Sequence, residues 1–218
     1  MSTNGMFKQK LIDHKIIAII RGVDSERIVN TVGALLKGGI KAVEVTFNQQ
    51  DAMKMLDTLK CLKLIKEAYG DQVYLGAGTV LTTDQVISAV DAGAEYIISP
   101  NVDVQVIQKT KELGKLSLPG AFTPSEIVTA YHAGADIIKL FPAGNLGISY
   151  IKALLAPLSH IPIFAVGGVN VENANEFIKA GAQGVGVGGS LVDNKAIYSG
   201  EYSKITHMAQ AYVQKLQG

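Results

Sequence analysis

The sequence predicts an α/β chain, a single (β/α)8 barrel domain running over residues 1–218. Three observations carry that expectation. Eight short β-branched runs alternate with longer periodic stretches, the pattern of repeated parallel βαβ units. One grammar recurs where helices end and strands begin: Gly38-Gly39-Ile40-Lys41-Ala42-Val43, Ala92-Gly93-Ala94-Glu95-Tyr96-Ile97, Ala133-Gly134-Ala135-Asp136-Ile137-Ile138 and Ala180-Gly181-Ala182-Gln183-Gly184-Val185. Each places glycine just past a helix, the left-handed cap position. Finally, Arg21-Gly22-Val23-Asp24 lacks the GxGxxG turn that opens the alternative, a doubly wound open sheet.

The strands are expected at Ile16–Arg21, Ala42–Phe47, Tyr74–Val80, Tyr96–Pro100, Leu116–Ala121, Ile137–Phe141, Ile163–Val166 and Gly184–Gly188. Seven helices lie between them. An eighth, bearing Ile197, Ile205, Met208, Ala209, Tyr212 and Leu216, follows the last strand. Thr82-Thr83-Asp84-Gln85 and Thr123-Pro124-Ser125-Glu126 read as capping boxes, the second with proline at the first helical position. The segment Met1–Met6 leads into no apolar targeting region, and Ile16–Ile20 is too short to span a membrane.

Composition narrows the partners. The 218 residues are 48% hydrophobic and 18% charged, with a formal net charge of +1, so a large core is expected and disorder is not. Without a basic block, and with 6% aromatics and no tryptophan, neither nucleic acid nor a membrane surface is expected as a partner. The single cysteine, Cys61, excludes an internal disulfide, fits a cytoplasmic setting and reads as a core or interface thiol. His14, His132, His160 and His207 are scattered without metal-ligand spacing, so no metal and no cofactor is expected.

Two charged residues stand in the middle of apolar strands. Lys139 lies in Ile137-Ile138-Lys139-Leu140-Phe141 and Glu44 in Ala42-Val43-Glu44-Val45-Thr46. Such residues are seldom fully buried without a partner. A buried lysine needs either an acid beside it or surroundings that favour the neutral amine, and a neutral lysine is a nucleophile. Strand alternation puts Ala42, Glu44 and Thr46 on one face and Ile137, Lys139 and Phe141 on one face. In a barrel the second and sixth strands then confront each other across the interior. A structural ion pair is the alternative, but barrel interiors are mostly aliphatic and an ion pair gains little over an apolar replacement.

Active sites of this fold sit at the carboxyl ends of the strands. Arg21, Thr79 and Ser99-Pro100-Asn101 fall there, and the Arg21 guanidinium suits a carboxylate or phosphate. Strands seven and eight end in Val166-Gly167-Gly168-Val169 and Gly186-Val187-Gly188-Gly189-Ser190. Gly167, Gly168, Gly188, Gly189 and Ser190 would present backbone N–H groups, with the field of the following helices, to a phosphate.

On Ile19-Ile20-Arg21-Gly22, Val43-Glu44-Val45-Thr46, Gly76-Ala77-Gly78-Thr79-Val80, Ile98-Ser99-Pro100, Pro119-Gly120, Ile138-Lys139-Leu140-Phe141-Pro142-Ala143, Val166-Gly167-Gly168-Val169 and Gly189-Ser190, the chain resembles the 2-keto-3-deoxy-6-phosphogluconate / 4-hydroxy-2-oxoglutarate aldolases. The resemblance implies a class I aldolase, usually a homotrimer, that cleaves a 2-keto-4-hydroxy acid to pyruvate and an aldehyde. It makes Lys139 the Schiff-base lysine and Glu44 the general acid/base. Thr79 and Pro100 would border the pyruvate moiety with Phe141 packed beside it, while Gly167, Gly168 and Ser190 match phosphate-holding positions. Relatives acting on the gluconate-derived substrate often carry, where this chain has Asn48, an arginine that contacts the bound keto acid, which makes Asn48 a substrate-binding candidate. A galactonate-specific branch resembles the chain more closely there, and Val166 stands where some relatives have threonine. A phosphate-binding epimerase or thiamine-phosphate-type synthase, and a non-enzymatic sugar-phosphate sensor, are the competing readings.

Overall fold

A computed structural model describes residues 3–217, and for Thr3 the backbone alone; Met1, Ser2 and Gly218 lie outside the described residues. Nine parallel segments form one sheet. They are β1 (Ile16–Ile20), β2 (Ala42–Thr46), β3 (Tyr74–Gly78), β4 (Tyr96–Ile98), β5 (Leu116–Leu118), β6 (Gly120–Ala121), β7 (Ile138–Leu140), β8 (Ile163–Val166) and β9 (Gly184–Val187), in the order β5-β4-β3-β2-β1-β9-β8-β7-β6. The two ends of that order are the halves of the expected fifth strand. Proline at 119 has no N–H to give the ladder, so the strand breaks there. Its first half pairs with β4 and its second with β7. The Ser117 and Pro119 carbonyls accept from Asp136 and Lys139, which closes the barrel.

Helices α2 (Ile28–Lys37), α3 (Ala52–Tyr69), α4 (Thr83–Asp91), α5 (Val104–Glu112), α6 (Pro124–His132), α7 (Ala143–Leu158) and α8 (Ala174–Lys179) occupy the seven expected positions. Thr123 and Glu126 form the complete capping box, and the two backbone N–H groups held by Glu126 keep its carboxyl below the usual range. Thr82 makes only half of one: its hydroxyl accepts from Gln85, but the Gln85 side chain takes the Leu81 N–H instead. The expected eighth helix is two, α9 (Asn194–Tyr198) and α10 (Tyr202–Gln217), separated at Gly200, whose φ of 75° ends the first.

An additional helix, α1 (Thr3–His14), precedes β1 where none was expected. Its apolar residues are too few to show a period, and they meet the barrel floor and not an outer helix. Leu11 is fully buried among Ile17, Ala42, Tyr96, Leu116, Ile137 and Phe164, and the Phe7 ring meets Tyr74 edge-on at 5.5 Å. This inner cluster is the barrel interior. Ile138, Leu140, Val43 and Val45 belong to the outer cluster between sheet and helices. Where large side chains fill the interior, the facing residue has no Cβ: Gly76 opposes the Tyr96 ring, Gly78 the Glu44 carboxyl and Gly184 the Phe164 ring.

The floor has a pH dependence. His14 ends α1, and its Nε2 accepts the Lys41 N–H at 2.8 Å just before β2. Burial, reinforced by the Lys41 charge, lowers the imidazole from 6.5 to about 4. The folded state therefore favours neutral histidine. Its contribution is complete above the unfolded value and is lost as pH falls from 6.5 towards about 4. Discounted for partial exposure, the loss is about 2 kcal/mol. Thermal midpoints of wild type and His14→Gln, measured from neutral pH to about 4, should show the wild type losing ground to the non-titrating variant. A gap that stays constant across that range contradicts the assignment.

Candidate active site

Strand alternation and packing orient both charged side chains inward. Lys139 sits between Ile138 and Leu140, which face the helices, and in line with Ile137, which faces the interior. Glu44 sits between the outward Val43 and Val45. Lys139 is 6% exposed and Glu44 1%. Lys139 opens onto a cavity of about 620 Å³ at the carboxyl end of the barrel. Its Nζ lies 5.1 Å from the Phe141 ring centroid, and among the described residues no carboxylate forms an ion pair with it. A structural salt bridge with Glu44 is therefore not what the interior contains.

Glu44 is the more constrained of the two. Its Oε1 is buried without a hydrogen-bond partner, in the space that the missing Gly78 side chain leaves. Burial raises its carboxyl above the usual range, and the positive charges of Lys139 and Arg21 only partly oppose that. A carboxyl held this way keeps its proton at a higher pH than usual and returns it readily, the property a general acid/base requires.

The expected rim residues fall just beyond the last paired residue of each strand. Arg21, Thr79, Pro100, Phe141, Gly167, Gly168, Gly188, Gly189 and Ser190 all line the cavity with Lys139. The Arg21 guanidinium is exposed and makes no ion pair among the described residues, so it is available to an anion. Asn48 does not line this cavity. It lines an adjoining one of about 530 Å³ that shares Arg21 and Thr79 with it, and its Oδ1 accepts from the Gln50 N–H.

Thr79 has φ of 56°, a left-handed conformation that a β-branched residue adopts at a cost of about 1–3 kcal/mol. Two glutamines hold it. Gln49 Nε2 donates to the Thr79 carbonyl at 2.5 Å, and Gln85 Nε2 donates to Gln49 Oε1 at 2.9 Å. Sequence reasoning missed both glutamines, because a side-chain amide in a loop carries no signal of what it reaches. It also missed Ile19, Val169, Asn170 and Gly186 as cavity residues.

At the other end of the cavity the two glycine loops converge. Gly167 and Gly168 have φ of 89° and 73°, and the Gly167 carbonyl accepts the Gly144 N–H at 2.7 Å. Gly188 and Gly189 face open space. The helices that follow are only six and five residues long, so the loop N–H groups, rather than a helix field, are what an anion would meet.

Elsewhere, Cys61 is buried in the core, and its thiol is pushed up to about 12, chiefly by burial. Among the described residues no cluster of three or more histidine, cysteine, aspartate or glutamate side chains could hold a metal, and no helix is long and apolar enough to cross a membrane.

The chain is similar to known proteins in architecture and in sequence. The chain is 40% identical over 177 residues to the 2-dehydro-3-deoxy-6-phosphogalactonate aldolase of Escherichia coli (strain K12), covering 81% of this chain and 83% of that one. It is 28% identical over 207 residues to the 2-dehydro-3-deoxy-phosphogluconate aldolase of Haemophilus influenzae, covering 94% of each. Among solved structures, one described as native KDPGal superposes with a TM-score of 0.83 at 36% identity, over 93% of this chain and 94% of that one. KDPG aldolase from Legionella pneumophila, with pyruvate captured as a covalent carbinolamine, gives 0.82 at 28% identity, over 91% and 93%. Thiamine phosphate pyrophosphorylase from Pyrococcus furiosus gives 0.70 at 16%, over 95% and 98%, a likeness of fold alone. The family model for KDPG and KHG aldolase matches residues 7–208, and with the relatives above it establishes that this chain belongs to that aldolase family.

Proposed function

We propose that the chain is a class I aldolase that cleaves a 2-keto-3-deoxy-6-phospho sugar acid reversibly to pyruvate and glyceraldehyde 3-phosphate. The observation that carries this is Lys139, opening onto the cavity with no ion-pair partner among the described residues, in a barrel that also holds the buried, proton-retaining Glu44. The Lys139 amine attacks the C2 carbonyl to give a carbinolamine, and loss of water leaves an iminium. Glu44, directly or through a water, gives its proton to the hydroxyl that leaves as water, and the carboxylate so formed takes the C4-hydroxyl proton. The C3–C4 bond then breaks, its electron pair runs into the iminium, and the aldehyde departs. The remaining enamine is protonated at C3 by Glu44, and hydrolysis frees pyruvate and the amine. Arg21 and the strained Thr79 would orient the carboxylate, Pro100 and Phe141 would flank the pyruvate carbons, and the glycine loops would hold the phosphate.

Two observations favour a galactonate-derived substrate. Asn48 stands beside the cavity where a competing branch places arginine. The relatives at 39–40% identity carry the galactonate name, whereas the gluconate relatives are 28–32% identical. Cleavage rates on the galactonate-derived, gluconate-derived and unphosphorylated 4-hydroxy-2-oxoglutarate substrates decide the matter. The expected order is galactonate-derived first and hydroxy-oxoglutarate last, and a clear preference for the last would refute the phosphate site. A homotrimer and a cytoplasmic setting belong to the same reading. Exposed Met53, Leu56 and Phe122 supply apolar surface for contact between copies, and the one cysteine is buried and unreactive.

A further inference from the structure

The phosphate end of the cavity is held together by a residue that no motif marks. Tyr212 lies in α10, is fully buried, and brings its phenol oxygen to 2.9 Å from Ser190 Oγ. Ser190 Oγ in turn donates to the Val169 carbonyl at 3.0 Å. A hydroxyl has one proton. Since Ser190 gives its proton to Val169, Tyr212 is the donor in the tyrosine–serine bond. The Ser190 hydroxyl thus stitches the loop after β9 to the loop after β8, and Tyr212 anchors the stitch from below.

The Ser190 hydroxyl has no proton left for a phosphate oxygen, so the donors there are backbone N–H groups. The spacing between the two glycine loops also depends on the stitch, because Gly188 and Gly189 have nothing packed where a side chain would stand. We infer that Tyr212 is a positioning residue for the phosphate subsite, acting through Ser190, whose hydroxyl fastens the two loops and does not itself donate to phosphate. This rests on the phosphate-holding role proposed above for those loops.

The test compares wild type, Tyr212→Phe, Ser190→Ala and the double variant on two substrates, a 2-keto-3-deoxy-6-phospho sugar acid and unphosphorylated 4-hydroxy-2-oxoglutarate, with inorganic phosphate as a competitive inhibitor. One lost hydrogen bond corresponds to about a two- to tenfold effect. The expected result is a rise of that size in KM for the phosphorylated substrate and in the inhibition constant for phosphate. In Tyr212→Phe, kcat, and KM for the unphosphorylated substrate, should stay within about twofold. The double variant should be no worse than Ser190→Ala, because both changes act through one hydroxyl. Equal losses on both substrates would show a role in general packing and overturn the proposal, as would no change on either or additive effects in the double variant. A wild type that binds no phosphate and ignores the substrate's phosphate overturns the subsite reading itself, which is a separate failure.

Discussion

Lys139→Ala is expected to abolish turnover, by at least about 10⁴-fold, because the covalent electron sink disappears and not merely a binding contact. The direct measurement is borohydride reduction in the presence of pyruvate, followed by peptide mass analysis. Wild type should carry one reduced pyruvate adduct on Lys139, and Lys139→Ala none. Lys139→Arg sharpens the test. It keeps a positive charge near Glu44 and Phe141, yet a guanidinium forms no Schiff base, so it should be as inactive as the alanine variant. An adduct on another lysine, or activity retained by Lys139→Arg, would remove this residue from the mechanism. Folding is a separate matter: the side chain carries no ion pair among the described residues, so secondary structure should survive both substitutions.

Glu44→Gln should separate activity from stability. Removing a positioned acid/base costs roughly 10²–10⁴-fold in kcat. Adduct formation with pyruvate should slow, and exchange of the pyruvate C3 protons with solvent should slow by a comparable factor. Stability moves the other way. Burial raises the Glu44 carboxyl in the folded state, so the folded protein binds this proton more tightly than the unfolded chain does. Stability from that group is complete below the unfolded value and is lost as pH rises through the raised folded one. Glutamine mimics the protonated form and does not titrate. The variant should therefore match the wild type in acid and exceed it in thermal midpoint at alkaline pH. A variant less stable than wild type at high pH would mean that the ionised carboxylate has a partner the buried Oε1 does not show.

Much of this site was legible in the sequence because a charge in an apolar strand is costly and therefore informative. Lys139 and Glu44 were readable from two strands alone, and the inward direction of each followed from its aliphatic neighbours. The rim residues were readable from their place after each strand. Asn48, a substrate-binding candidate by resemblance, lines the adjoining cavity that shares Arg21 and Thr79 with this one. The α1 helix was invisible because its few apolar groups pack against the barrel floor, a surface that exists only once the barrel has closed. The Pro119 break read as one strand for a similar reason, since its two halves serve different neighbours across the closure.

By itself the sequence determined the repeated βα unit, the strand faces and the two buried charged side chains. Those depend on local periodicity and on the price of burying charge, both of which act over a few residues. Only the tertiary structure decided what surrounds them: the glycine vacancy that admits Glu44, the glutamines that hold Thr79 in a left-handed turn, and the distant tyrosine that bonds Ser190 in the loop after β9. Gly78 lies 34 residues beyond Glu44, Gln49 30 before Thr79 and Tyr212 22 beyond Ser190. Partnerships at such separations are set by how the strands close on one another, and no short-range pattern records them.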